Sequence, residues 1–316
     1  MPRIAYLGPD GTFTELALRQ MAQRGVVPAA TAGEVTPMPT DSTPAALAAV
    51  RSGDAEYACV PIENSIEGSV LPTLDNLATG TPLQIYAELT LDVSFTIVMR
   101  DGLAAQDVKT VAAFPVAAAQ VRKWLAANLP GAHLVPANSN AAAAHDVADG
   151  LADAGVSTAL AAARCGLPVL AADIVDEPNA RTRFVLVGRT GPPPPRTGAD
   201  RTSVVLRLDN VPGALVSAMT EFAIRDIDLT RIESRPTRTE LGTYVFFLDC
   251  IGHLDDDAVA EALKALHRRC ADVRYLGSWP TGVAAGAVPP GFDEATRWLD
   301  DLRRGMPGGS VAGADR

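Results

Sequence analysis

Four consecutive prolines, Pro192, Pro193, Pro194 and Pro195, sit between Gly191 and Arg196-Thr197-Gly198. Proline has no amide hydrogen and a fixed φ, so such a run continues neither a helix nor a central strand. It reads as a short, semi-rigid linker of polyproline character. The chain has 316 residues, enough for two domains that each bury a core. A second shift follows Trp279-Pro280, where Gly, Ala and Pro dominate to Gly291. The sequence thus predicts a first domain over 1–190, a linker over 191–200, a second domain over 201–280 and a tail over 281–316. Within the tail, 293–304 has the pattern of a short helix with Trp298, Leu299 and Leu302 on one face, either loosely ordered or docked on the body or a partner.

The first domain alternates strand and helix patterns. Apolar strand runs are expected at 4–7, 57–62, 94–99 and 110–114, and alanine-rich helices at 117–128 and 140–147. Thr12-Phe13-Thr14-Glu15 has the form of a capping box, with Glu15 reaching back to the cap. Asp41-Ser42-Thr43-Pro44 opens a second helix, proline being suited to a first turn. Repeated βα units imply an α/β domain with mainly parallel strands, whose ligands bind beyond the carboxyl ends of the strands. The second domain reads βαββαβ, with strands at 201–208, 227–234, 243–250 and 273–279 and helices at 213–224 and 255–269. That order is ferredoxin-like.

Several function classes are excluded by what the chain lacks. Asp and Glu outnumber Lys and Arg by 37 to 27, a net charge of −10, which opposes nucleic-acid binding. Cys59, Cys165, Cys250 and Cys270 have neither metal-ligand nor disulfide-framework spacing, and the histidines show no paired spacing, so no metal site is expected. There is no dinucleotide, Walker, GxSxG or HExxH signature. The apolar run at 4–7 stops at Gly8-Pro9-Asp10, and 156–175 is broken by Arg164, Pro168 and Asp173. Neither suits a signal-peptide core or a membrane span, so a cytoplasmic protein is expected.

Three polar segments lie where strands meet helices. In Gly8-Pro9-Asp10-Gly11-Thr12-Phe13, a helix start offers free amides to an anion. In Glu63-Asn64-Ser65-Ile66-Glu67-Gly68-Ser69, Asn64 and Ser65 are candidate carboxylate donors, and Glu63 a candidate to orient a neighbour or pair with a cation. In Arg181-Thr182-Arg183-Phe184, Thr182 offers a hydroxyl, Arg183 a guanidinium and Phe184 an apolar wall. Taken singly, each is equally compatible with an ordinary cap or strand start.

Together the three segments resemble the prephenate dehydratase family, through GPDGTFTE, PIENSIEGSV and TRF. Pro212-Gly213-Ala214-Leu215 and Glu233-Ser234-Arg235-Pro236 are similar to the GAL and ESRP motifs of the ACT regulatory domain. The likeness covers about residues 1–280. Where the family often has His-Pro-Gln, this chain has Phe114-Pro115-Val116; where it often has Ser-Thr-Ala, it has Ser139-Asn140-Ala141.

The resemblance implies an α/β catalytic domain of two lobes, similar to periplasmic binding proteins, here about 1–85 plus 179–190 and 86–178, followed by the ferredoxin-like ACT domain. It implies conversion of prephenate to phenylpyruvate in phenylalanine biosynthesis, with loss of water and carbon dioxide. Ring aromatisation drives that reaction, so no cofactor is expected. The catalytic candidates are Thr182, Arg183, Phe184, Asn64, Ser65 and Glu63, with Thr182 at the departing hydroxyl. Substrate-binding candidates are Thr12, Phe13, Gly11, Glu67 and Ser69. Allosteric candidates for L-phenylalanine as effector are Asn210, Gly213, Ala214, Leu215, Glu233, Ser234, Arg235 and Pro236. A homodimer or homotetramer is implied, with no nucleic-acid or membrane partner. Arogenate dehydratase and a non-catalytic amino-acid sensor are the competing readings; the intact Thr182-Arg183-Phe184 favours catalysis.

Overall fold

The computed structural model describes residues 1–30, 33–238, 241–282, 289, 291 and 293–306. The parts of the expected tail over 283–288 and 307–316 lie outside the described residues. The chain forms two compact units, Met1–Pro192 and Pro193–Arg316.

The first unit begins with β1 (Arg3–Leu7), α1 (Phe13–Gln23), β2 (Thr36–Thr40), α2 (Thr43–Ser52), β3 (Tyr57–Asn64), β4 (Gly68–Ser69), α3 (Leu71–Ala78) and β5 (Leu83–Asp92). It continues with β6 (Phe95–Met99), β7 (Thr110–Ala113), α4 (Pro115–Gln120), α5 (Arg122–Asn128), β8 (His133–Pro136), α6 (Asn140–Ala148), β9 (Ala154–Ser157), α7 (Ala159–Cys165) and β10 (Val169–Ile174). It ends with β11 (Arg181–Arg189). One sheet has the order β2-β1-β3-β11-β5, with β4 on β3; the other has β10-β6-β9-β7-β8. These are two lobes, and the chain crosses between them after β5 and again before β11.

Both sheets are mixed, which corrects the expectation of mainly parallel strands. β1 runs parallel to β2 and β3, and β7 parallel to β8 and β9. β11, however, is antiparallel to both β3 and β5, and β6 to both β9 and β10. The cause is the return crossing: β11 enters the first sheet from the far lobe and runs against its neighbours.

Local chemistry explains the element ends. The Thr12 hydroxyl accepts the Glu15 N–H at 3.3 Å, and the Ser42 hydroxyl accepts that of Ala45 at 3.2 Å with Pro44 in the first turn. The helix expected over 117–128 is broken at Val121 (φ −124°, ψ 15°). The return crossing intrudes there. The Asp176 N–H takes the Gln120 carbonyl, and the Asp176 carboxylate takes the Lys123 N–H, two groups that a continuous helix would have used itself.

In the first lobe Leu18 and Met21 of α1 pack with Ile4, Tyr6, Phe184 and Leu186 of the sheet. In the second, Ala141, Ala143, Ala144, Ala161 and Ala162 form a core of small side chains. They let α6 lie very close to β9: a Cβ on Gly155 would sit 2.8 Å from the Ala143 carbonyl oxygen. At the far end of β11, the Tyr86 hydroxyl donates to the Arg189 carbonyl at 2.7 Å, and the Gly191 N–H donates to Gln84 Oε1 at 3.3 Å.

The second unit contains β12 (Asp200–Arg207), α8 (Ala214–Ala223), β13 (Leu229–Pro236), β14 (Tyr244–Ile251), α9 (Asp257–Arg269), β15 (Asp272–Pro280) and α10 (Asp293–Arg303). Its antiparallel sheet has the order β13-β14-β12-β15, the ferredoxin-like order. Val204, Leu206 and Leu248 pack against Phe222 and Leu266 of the two helices. Trp298, Leu299 and Leu302 of α10 are exposed.

Because backbone meets backbone at Gly155, Gly155→Val overpacks the second lobe. The expected loss is about 1–3 kcal/mol, read as a lower midpoint in thermal or urea unfolding.

Candidate active site and effector cavity

The carboxyl ends of β1 and β3 share one edge of the first sheet. Strand β3 runs further than its apolar residues suggest, because Glu63 and Asn64 pair with Arg183 and Thr182 at the start of β11. This pairing brings together two segments 118 residues apart. The Asn64 amide nitrogen donates to Thr182 Oγ1 at 2.9 Å. Asn64 is itself fixed, its Oδ1 accepting the N–H groups of Ile66 and Glu67 at 2.9 and 3.0 Å. The Ser65 hydroxyl donates to the Asn179 carbonyl at 3.0 Å and accepts the Arg181 N–H at 2.8 Å. The β3–β11 ends are therefore locked from both sides.

Strand alternation divides the Thr182-Arg183-Phe184 triplet. Thr182 and Phe184 share the face beneath α1, and Phe184 is buried in the first-lobe core. Arg183 is on the opposite face, where it meets Glu63 at 2.8 Å and Glu88 at 3.3 Å. Its side chain is committed to those two carboxylates. Glu67 is exposed and Ser69, on β4, pairs with Glu63.

At the start of α1 the capping box differs from the expected form. The Glu15 carboxylate reaches past Thr12 to the Gly11 N–H at 2.6 Å. The Thr12 hydroxyl donates to the Leu7 carbonyl at 2.8 Å while capping Glu15, so both of its roles are internal. The amides of Phe13 and Thr14 still lack intrahelical acceptors, as at any helix start. Phe13 meets Phe95 of the other lobe edge-on, with ring centroids 5.8 Å apart. A cleft of about 950 Å³ opens beside this turn, lined by Gly8, Asp10, Thr40 and Asp41 from one lobe and by Asn138, Ser139 and His145 from the other. The cleft residues of the second lobe are not among the expected site residues; Ser139 is marked in the sequence by the Ser139-Asn140-Ala141 segment, and its hydroxyl caps α6 by accepting the Ala142 N–H at 3.0 Å. Among the described residues no cluster of His, Cys, Asp or Glu is placed to share a metal ion.

In the second unit, a cavity of about 360 Å³ is lined by Asn210, Ala214 and Leu215 and also by Thr237, Thr243, Tyr244 and Phe246. Gly213 is the N-cap of α8. Glu233, Ser234, Arg235 and Pro236 lie along β13, the edge strand, and do not line this cavity. The β14 contributors were missed because their alternation reads as ordinary strand.

Two lobes around a polar cleft, followed by a ferredoxin-like unit with its own cavity, define a small-molecule enzyme of binding-protein-like architecture with an appended regulatory-type module. Residues 4–192 match the sequence model of the family described as prephenate dehydratase, and 202–268 that of the ACT domain. A prephenate dehydratase of Mycolicibacterium smegmatis is 77% identical over 310 residues, covering 98% of this chain and 100% of its own. The crystal structure of the Arthrobacter aurescens prephenate dehydratase in complex with L-Phe is 43% identical, with a TM-score of 0.86, over 96% of this chain and 99% of that one. A structure described as a novel type of quorum quenching acylase, GqqA, is 30% identical, with a TM-score of 0.75, over 88% and 98%. This chain belongs to the prephenate dehydratase family of lyases and carries an ACT domain. Among the described residues, no helix is long and apolar enough to cross a membrane.

Burial pushes the Glu15 carboxyl upward, but hydrogen bonds from Arg164, the Gly11 amide and Arg19 outweigh it and hold the group at about 2. Its folded value is depressed, so its stabilising contribution is complete above the ordinary value of 4.5 and is lost as pH falls toward 2. Urea unfolding across that window should show a shallower acid loss for Glu15→Gln than for the parent chain.

Proposed function

We propose that the space between the lobes converts prephenate to phenylpyruvate and that Thr182, at the β3–β11 end and outside the lining of the 950 Å³ cleft, acts at the departing ring hydroxyl. The observation that carries this reading is the Asn64–Thr182 hydrogen bond. Thr182 Oγ1 accepts there, and among the described residues its own hydrogen has no acceptor. The hydroxyl is thus aimed by Asn64 and left with a donor to offer. Thr182 is 9% exposed, so the bond it makes to the leaving oxygen is poorly screened by water.

The reaction sets the remaining requirements. The ring carboxylate leaves as carbon dioxide, a neutral product favoured by poor solvation. The pyruvyl carboxylate is retained and needs donors throughout; the α1 amides and the Asn138–Ser139 wall supply them in this reading. Arg183, tied to Glu63 and Glu88, braces β11 and so holds Thr182 in place. A threonine hydroxyl is a very weak acid, so Thr182 orients the leaving group by donating a hydrogen bond to it.

The ACT cavity takes L-phenylalanine as a feedback effector in this reading. Its support is the L-Phe named with the Arthrobacter aurescens structure and the placement of Asn210, Ala214 and Leu215 at the start of α8. Val211, Val216, Ile232 and Tyr244 expose apolar side chains on this unit, and a second copy of the chain is the occupant we assign to them. The enzyme works in the cytoplasm as a homodimer or homotetramer.

Purified protein incubated with prephenate should form phenylpyruvate, and L-phenylalanine should suppress the rate. Turnover of arogenate in place of prephenate would overturn the substrate assignment. Thr182→Ala should lower kcat about a hundredfold with an unchanged far-UV spectrum; near-normal turnover removes Thr182 from the reaction. Asn210→Ala should raise the L-phenylalanine concentration for half-inhibition about tenfold, the scale of one lost hydrogen bond to a charged group. An unchanged inhibition curve would move the effector elsewhere.

A further inference from the structure

Lobe 1 and lobe 2 are joined covalently only where β5 passes to β6 and β10 to β11. Away from those crossings they meet again at the start of α1. Glu15, in lobe 1, is 1% exposed. Arg164, on α7 of lobe 2, grips its carboxylate with both terminal nitrogens, Nη1 to Oε2 at 2.5 Å and Nη2 to Oε1 at 2.6 Å. Arg19 Nε adds a bond at 2.7 Å from the flank of α1 itself. The Thr158 hydroxyl, at the start of α7, donates to the Gly11 carbonyl at 2.5 Å. Gly11 (φ +97°) lies so near Ala161 that a Cβ would approach to 2.8 Å.

These contacts converge on one turn, residues 10–13. The Gly11 N–H is taken by Glu15 from its own lobe, and the Gly11 carbonyl by Thr158 from the other. Asp10 of this turn lines the cleft, accepts from the Tyr6 hydroxyl and lies 3.9 Å from Arg164 Nη1. A capping box needs a carboxylate and an amide; it has no need of an arginine from another lobe. The fork of a guanidinium fixes direction as well as distance. A buried carboxylate that loses such a partner is strongly disfavoured, so the bond opposes separation of the lobes.

We propose that Arg164 is a positioning residue for the reaction: its two-pronged bond to Glu15 holds lobe 2 against the 10–13 turn and sets the spacing between the two walls of the cleft. It contacts no substrate; it acts through Glu15 and Gly11. The proposal rests on the reading of this cleft as the prephenate site. A displacement of about 1 Å between reacting and binding groups costs about a hundredfold in rate.

The test uses the full chain. Arg164→Ala and Arg164→Lys are assayed with prephenate, kcat and KM being resolved separately, and hydrogen–deuterium exchange is followed at residues 11–16. For Arg164→Ala, kcat/KM should fall about a hundredfold, divided between a higher KM and a lower kcat, and residues 11–16 should exchange faster while the ACT sheet is unchanged. Added guanidinium ion should restore part of the turnover of Arg164→Ala and none in the parent. Arg164→Lys, with one ammonium in place of a fork, should fall between the two. A folded Arg164→Ala with kcat and KM within about twofold of the parent, a change too small to register a lost positioning contact, and unchanged exchange at 11–16 overturns the proposal. Should Arg164→Ala fail to fold, parental kinetics and exchange in Arg164→Lys overturn it equally. A parent chain inert toward prephenate sinks the substrate reading instead, and the exchange measurement then decides the interlobe bond by itself.

Discussion

The polar edge where β3 meets β11 depends on the backbone ladder that β11 makes with its two neighbours. Thr182 to Gly188 pair with β3 on one side and Arg181 to Arg189 with β5 on the other, and Val185, Leu186 and Val187 have no exposed surface. Such a strand cannot slide by one residue without turning every buried side chain to the wrong face. Between Arg183 and Phe184 the pairing with β3 shifts by one residue, and this irregularity sets Thr182 opposite Asn64, where the register of the hydrophobic middle alone would have set it opposite Glu63. The locks at Ser65 and Asn64 consume the polar groups that would otherwise leave this end loose.

Much of the architecture was legible because it is written in local chemistry. The Thr12 and Ser42 caps, the proline run and the βαββαβ order of the second unit each depend on neighbours in sequence. The mixed direction of the sheets was not legible, because β11 owes its direction to a crossing that begins in the other lobe. Val121 was invisible for a similar reason: its break is imposed by Asp176, a residue far along the chain that takes over the Gln120 and Lys123 groups. The triplet at 182–184 was recognised as a unit, yet alternation sends Thr182 and Arg183 to opposite faces. A motif gives residue types; the pleat assigns their directions.

The second lobe shows how composition shapes a cleft wall. Its helices are short and rich in alanine, and α6 rests almost directly on β9 at Gly155 and Ala143. Small side chains bring the helix axis close and leave little room for adjustment. The start of α6, with Ser139 facing the cleft, is thus supported by a thin and stiff layer. In the first lobe the equivalent support is bulkier, with Leu18 and Met21 of α1 packed against Tyr6 and Phe184 of the sheet. The cleft has one wall set by large interlocking side chains and one set by near contact of backbones.

The anchoring of the linker has a consequence for the modularity of the chain. Tyr86 holds the Arg189 carbonyl and Gln84 holds the Gly191 amide, so the first residues after β11 still belong structurally to the lobe that carries Thr182. The chain passes from that lobe directly into the proline run. A chimera joined after Gly191 would inherit both anchors from the catalytic parent, whereas one joined at Arg189 would inherit a foreign amide opposite Gln84. The natural seam for exchanging regulatory units therefore lies within the prolines and not at the end of the last strand.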